Sequence, residues 1–141
     1  MTATEACIFC RIAADGAEHE VIARSERAIA FMNAYPAGYG HVLVIPKAHA
    51  ENIWDVSEED ATSVWQLARR VASAARDGLE AEGLNLFQTN GRVAWQSVFH
   101  FHVHVVPRWA GDALAPNWTE PLGNRAEITR AAVELRAALG N

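Results

Sequence analysis

Lysine is almost absent: Lys47 is the only one in 141 residues, and the formal net charge is −5. That balance argues against long nucleic acid as a partner, because such binding rests on many cationic phosphate contacts. A single nucleotide stays open, since backbone N–H groups and histidines can hold one phosphate. Long apolar runs are missing as well, and none approaches the roughly 20 residues of a membrane span. Near Met1 there is no basic segment followed by an apolar one, so no signal peptide is expected and the default compartment is cytoplasmic. Repeats, low-complexity tracts and domain-separating linkers are lacking. Residues 1–141 are therefore expected to form a single domain. Half of the residues are hydrophobic, which argues against disorder.

Cysteine is scarce. Cys7 and Cys10 are the only two, and their C-x-x-C spacing has three readings. A disulfide is disfavoured in a reducing compartment. A redox pair would want a strand before it and a helix after it, and few residues precede it. Half of a zinc site would need two further ligands of histidine or cysteine type.

What is present in abundance is histidine in one place. In the stretch Gln96-Ser97-Val98-Phe99-His100-Phe101-His102-Val103-His104-Val105-Val106-Pro107, three histidines occupy every second position. On a strand, alternate side chains share a face. His100, His102 and His104 would line one face, with Phe99, Phe101, Val103 and Val105 on the other. Neighbouring histidines on such a face stand about 6.7 Å apart at the backbone and the outer two about 13 Å, from a rise of about 3.3 Å per residue. The three are therefore expected to have different tasks. Three in strict register make a merely solvated strand face a poor explanation.

This stretch resembles the signature of the histidine triad (HIT) superfamily. The resemblance extends to Asn90-Gly91, to Cys7-Ile8-Phe9-Cys10 and to the run from Gly40 through His41 to Pro46, Lys47 and His49. It spans about residues 7–109, with a C-terminal extension beyond. It implies an α+β HIT fold: an antiparallel sheet of about five strands with two main helices, in a chain that forms a homodimer. The residue pattern agrees on class. Short strands are expected near 20–25, 27–32, 41–45 and 84–89 besides the triad strand. An unbroken apolar run over Val42–Ile45 suggests a central strand. A helix is expected from Ser57, its cap, along a stripe that includes Val64, Trp65, Ala68, Val71 and Ala75. A last helix, over 124–139, is expected to be capped by Asn124.

The resemblance also implies chemistry. The central histidine, His102, would be a nucleophile that attacks a nucleotide's α-phosphate and forms a nucleotidyl-histidine. His104 would donate to a phosphate oxygen or the leaving atom, and His41 would hydrogen-bond His104. Asn90, Gln96, Ser97 and Val98 stand where the family contacts nucleotide, with Ser97 and Gln96 as phosphate donors. Asn33 falls where the family usually carries an aspartate for the ribose; its competing role is a turn residue. Trp95 replaces a common glycine. An indole there would narrow the mouth or stack on a base, or else plug the loop from beneath. Arg92 and Arg108 flank the site in sequence, as phosphate contacts or as ordinary surface arginines. In metal-binding relatives the C-x-x-C pair is completed by residues matching His49 and His100. The implied group is a structural zinc on Cys7, Cys10, His49 and His100.

The expected function is hydrolysis of a nucleotide, a purine nucleoside phosphoramidate or a dinucleoside polyphosphate. Two other classes compete. One is a metal-dependent hydrolase with zinc on the H-x-H pair and His41. The other is a nucleotide-binding dimeric interaction protein with little turnover.

Overall fold

The computed structural model describes residues 6–16, 19–115 and 122–140. Residues 1–5, which bear on the leader reading, and 116–121 of the expected irregular tail lie outside them. In chain order the elements are α1 (Ile8–Ala14), β1 (Val21–Arg24), β2 (Ala28–Met32), β3 (Val42–Pro46), α2 (Glu58–Leu79), β4 (Gly83–Gln88), a 3₁₀ turn (Arg92–Ala94), β5 (Val103–Arg108) and α3 (Arg125–Leu139). The five strands form one antiparallel sheet in the order β1-β2-β3-β5-β4. Every residue of β3 is buried and it lies at the middle of the sheet, as its unbroken apolar run requires.

The period-two pattern of the strands sorts the core into two layers. On one face Ala28, Ala30, Val42, Val44, Phe101, Val103 and Val105 pack against Val64, Leu67, Ala68 and Val71 of α2. On the other, Ile29, Phe31, Leu43 and Ile45 meet Phe9 and Ile12 of α1. Helix α1 is short and absent from the sequence expectation; Phe9 and Ile12, three residues apart, are the apolar pair that docks it. The triad histidines belong to the α1 face, because Phe101, Val103 and Val105 are committed to the α2 face.

Ser57 caps α2, accepting a hydrogen bond from the Asp60 N–H at 3.1 Å. Arg27, just before β2, ties the same helix end to the sheet through Asp60 and Glu59. Trp65 does not join the core: it is 42% exposed, because the buried stripe of α2 runs through Val64, Leu67 and Ala68 instead. Helix α3 is capped by Asn124 as expected, yet buries none of its residues. Gly40 has φ +78, and a Cβ there would lie 2.7 Å from Leu79 Cδ1, so only glycine fits where the loop enters β3.

The triad strand is shorter than its alternation suggests. Strand β5 begins at Val103, and its ladder with β3 stops at the Val44–Val103 pair. Phe101 N–H instead donates to Ala50 O at 2.7 Å, in the loop beyond β3. His100, in a bend, and His102 thus lie ahead of the strand, and only His104 lies within it. Pro107 pairs opposite Leu84 one residue before the strand's end.

Candidate active site and metal centre

The β3–β5 register sets Leu43 opposite His104, which brings His41 at the mouth of β3 within 2.9 Å (Nε2) of His104 Nδ1. The hydrogen bonds fix where the protons are. The Ala37 N–H donates to His41 Nδ1 at 2.9 Å. That nitrogen is therefore the acceptor, and neutral His41 carries its proton on Nε2 and donates it to His104 Nδ1. His104 must then hold its own proton on Nε2, as a donor. His102 is set the opposite way. Its Nδ1 donates to the His100 carbonyl at 2.6 Å, which leaves the lone pair on Nε2. An acceptor and a donor imidazole stand side by side, ring centroids 4.9 Å apart.

Burial keeps these rings neutral. It pushes His102 below the usual imidazole range, against a smaller upward pull from the His100 carbonyl. It pushes His104 down to about 4, helped by neighbouring His102 and His41. His41 is lowered by burial alone. Phe9 packs edge-on against His102 at 5.2 Å between centroids, so α1 supplies the apolar wall behind this ring.

The loop before the triad is held by its own amides. Gln96 is buried; its Oε1 accepts from Gly91 N–H at 2.8 Å, and its Nε2 donates to Glu51 O at 2.6 Å and Val98 O at 3.1 Å. Both amide protons are used, so Gln96, expected as a phosphate donor, positions the loop instead. Asn90 is engaged similarly: its Oδ1 accepts from Ile53 N–H at 2.7 Å and from Gln88, and its Nδ2 donates back to Gln88. Ser97 is exposed, and Val98 is half-buried. Asn33 forms the local turn weighed for it, accepting from Tyr35 N–H at 2.9 Å. Its Nδ2 comes only within 3.4 Å of His41 Nε2, whose proton is already committed to His104.

Neither arginine reaches toward the triad. Arg108 is forked onto Asp112 and also bonds Asn85 and the Leu114 carbonyl. The guanidinium of Arg92 lies 4.7 Å over the Phe99 ring. Trp95 is 68% exposed, which removes the buried-plug reading. It takes a left-handed conformation, φ 70 and ψ 19, that costs a residue with a side chain roughly 1–2 kcal/mol. This is the backbone reason that glycine suits the position.

Cys7, Cys10, His49 and His100 converge at the end of the same segment, their ligand atoms all within 4.8 Å of one another. Cys10 Sγ stands 3.3 Å from His49 Nδ1 and 3.5 Å from His100 Nδ1, and Cys7 Sγ 3.4 Å from His100 Nδ1. Ligand atoms around a tetrahedral zinc stand roughly 3.3–3.8 Å apart, given bonds of about 2.0–2.3 Å. His100 Nε2 donates to Pro46 O at 2.8 Å, which frees Nδ1 as a ligand. Without a cation, burial and then neighbouring Cys7 push the Cys10 thiol up to about 11. The donor set thus fits a thiolate-binding metal that displaces those protons. By contrast, the competing H-x-H metal site has no geometry behind it. His102 Nδ1 is bound to backbone, His41 and His104 bond each other, and the three form no metal-binding group among the described residues.

A family model described as HIT domain matches residues 15–111. The chain belongs to the histidine triad family. This HIT protein is 39% identical to "Protein hit" of Bacillus subtilis over 119 residues, 84% of this chain and 82% of the relative. It is 32% identical to adenosine 5'-monophosphoramidase hnt1 of Schizosaccharomyces pombe over 127 residues, 83% of this chain and 92% of the relative. Among solved structures it is similar to a Zn-bound histidine triad family protein from Mycobacterium smegmatis, with a TM-score of 0.76 and 35% identity, covering 96% and 99% of the two chains.

Proposed function

We propose that this HIT protein hydrolyses nucleoside 5′-phosphoramidates or related nucleotides through a covalent nucleotidyl-His102. The observation that carries the reading is the tautomer of His102. Its Nδ1–H is committed to the His100 carbonyl and its Nε2 lone pair lies beside a donor, His104. The amidase name of the fission-yeast relative supports the substrate class. In the first step His102 Nε2 forms a bond to the α-phosphorus. The bond from phosphorus to the leaving nitrogen breaks, its electron pair leaves with the amine, and the amine takes a proton from solvent. His104 Nε2–H and the Ser97 hydroxyl steady the charge on phosphorus oxygens. In the second step water attacks phosphorus, the electron pair of the N–P bond returns to Nε2, and one water proton goes to solvent. The nucleoside monophosphate departs.

Asn33 and Val98, with the backbone of the loop over 90–98, are the remaining contacts we assign to the nucleotide. We assign zinc to Cys7, Cys10, His49 and His100 in a structural role, since all four positions are filled by protein and none is left for substrate. Incubation with adenosine 5′-phosphoramidate should release AMP, and acid-quenched protein should carry an added adenylyl mass on the peptide containing His102. Turnover with no trappable adduct across a panel of amidates and dinucleoside polyphosphates would remove the covalent step.

We also assign a homodimer. A fifteen-residue helix is marginal in water by itself, and α3 leaves Ile128, Val133, Leu135 and Leu139 exposed. Edge strand β4 likewise exposes Leu86. Sedimentation should give twice the chain mass; a single-chain mass at micromolar concentration ends this assignment.

A further inference from the structure

Beside the donor histidine is a cavity of about 670 Å³ that the reaction above leaves without a task. His41 and His104 form its floor, and Phe87, Val93, Trp95 and Val106 are among its walls. His102 is not among its lining residues, and neither is any lysine, arginine, aspartate or glutamate. The cavity therefore opens from the His104 end of the triad. In a displacement at phosphorus the attacking and leaving atoms lie roughly in line. A group expelled by His102 departs away from it, and this cavity lies on the His104 side.

The wall nearest the loop is held firmly. Ala94 N–H and Gln96 N–H both donate to Gly91 O at 3.1 Å, and Trp95 N–H donates to Arg92 O at 3.0 Å. Gln96 ties the same loop to Glu51 O. Trp95 is thus presented at a fixed place, largely exposed, in a left-handed conformation that glycine would adopt without strain. Strain kept at one residue of a well-bonded loop beside a reaction centre is a mark of function. The indole offers a flat apolar face, and Phe87 and Val93 add to it.

We propose that this cavity is a leaving-group subsite and that Trp95 is its specificity-determining wall, admitting an uncharged aromatic or apolar amine substituent and turning away charged leaving groups. A leaving nucleoside polyphosphate would meet apolar walls and no cation to balance it. An aryl group would bury its faces against Trp95 and Phe87 while its nitrogen stays beside His104. This deepens, and rests on, the reading of the site as a phosphoramidate hydrolase.

The test compares the adenosine 5′-phosphoramidates of benzylamine and methylamine. Wild type should favour the benzyl amidate by tenfold or more in kcat/KM. In Trp95→Gly that ratio should fall to near one, and in Trp95→Phe it should stay within about threefold of wild type. Thermal unfolding of Trp95→Gly should occur no lower than in wild type, since strain is relieved. An unchanged ratio in Trp95→Gly, or no preference in wild type, overturns the proposal. If neither amidate is turned over, the hydrolase reading fails on its own, and calorimetric binding of the same two compounds decides the subsite. Tighter benzyl binding that Trp95→Gly abolishes supports it; equal binding of the two overturns it.

Discussion

His102→Ala should fold as wild type does and lose at least about three orders of magnitude in turnover, the scale of removing a catalytic nucleophile. The ring is buried, but it closes one end of the site, so its loss opens a small gap rather than a hole in either core layer. His104 and Ser97 remain in the variant, and they can polarise a phosphate without forming a bond to it. A variant within tenfold of wild type on the best substrate would sink the covalent reading. The pH dependence of wild-type turnover tests the electrostatics. The reaction needs neutral imidazoles, and burial lowers His41, His102 and His104 from the ordinary 6.5. A depressed value keeps the neutral form as pH falls. Turnover should therefore persist below pH 6.5 and fade toward about 4, the value at His104. The sign for stability is the same. Histidines of the unfolded chain take up protons near 6.5, whereas these resist until lower pH. Their contribution is full above 6.5 and is lost as pH drops through the folded values. An acid limb centred at or above 6.5 would place the working histidine in water.

Metal removal should have the second large effect. Protein purified without chelator is expected to carry about one zinc per chain. Stripping it should lower the unfolding temperature by roughly 10 °C, because a ligand at about a thousand times its Kd stabilises the folded state by about 4 kcal/mol. Cys10→Ser should lose the metal and show the same shift. His41→Ala should keep the metal, since His41 lies outside the four-residue cluster. Uptake must displace thiol protons, so affinity should strengthen with rising pH. Protein that carries no zinc, and whose unfolding is indifferent to chelation, removes the assignment.

Much of this site was visible in the order of residues. Alternation alone separated the histidines from Phe101, Val103 and Val105, because a strand has only two faces and the apolar set claims one. Joining His41 to His104 needed the family resemblance, since the β3–β5 register that pairs them depends on contacts sixty residues apart in sequence. The amides misled. Gln96 and Asn90 look like contacts for a ligand, but Glu51 O takes a Gln96 amide proton, Gln88 takes one from Asn90, and no local pattern announces that competition. The strand's start misled for a similar reason. His100 and Phe101 have the right residue types for a ladder, yet the backbone there bonds the loop at Ala50. Trp65 was placed inside because a wide apolar stripe does not reveal its own edge.

Three of the bonds that build the site close long stretches of chain. His41 to His104 spans 63 positions, His100 to Pro46 spans 54, and Cys7 to His100 spans 93. Closing a loop costs entropy that grows slowly with its length, and the seam between β3 and β5 has only three residue pairs to offset it. The bond from His102 to the His100 carbonyl is local, but the donor imidazole beside it and the metal cluster are not. During synthesis the site is thus incomplete until the residues of β5 have emerged and closed onto β3. The pairing of His41 with His104 comes with that closure rather than being carried along from the start.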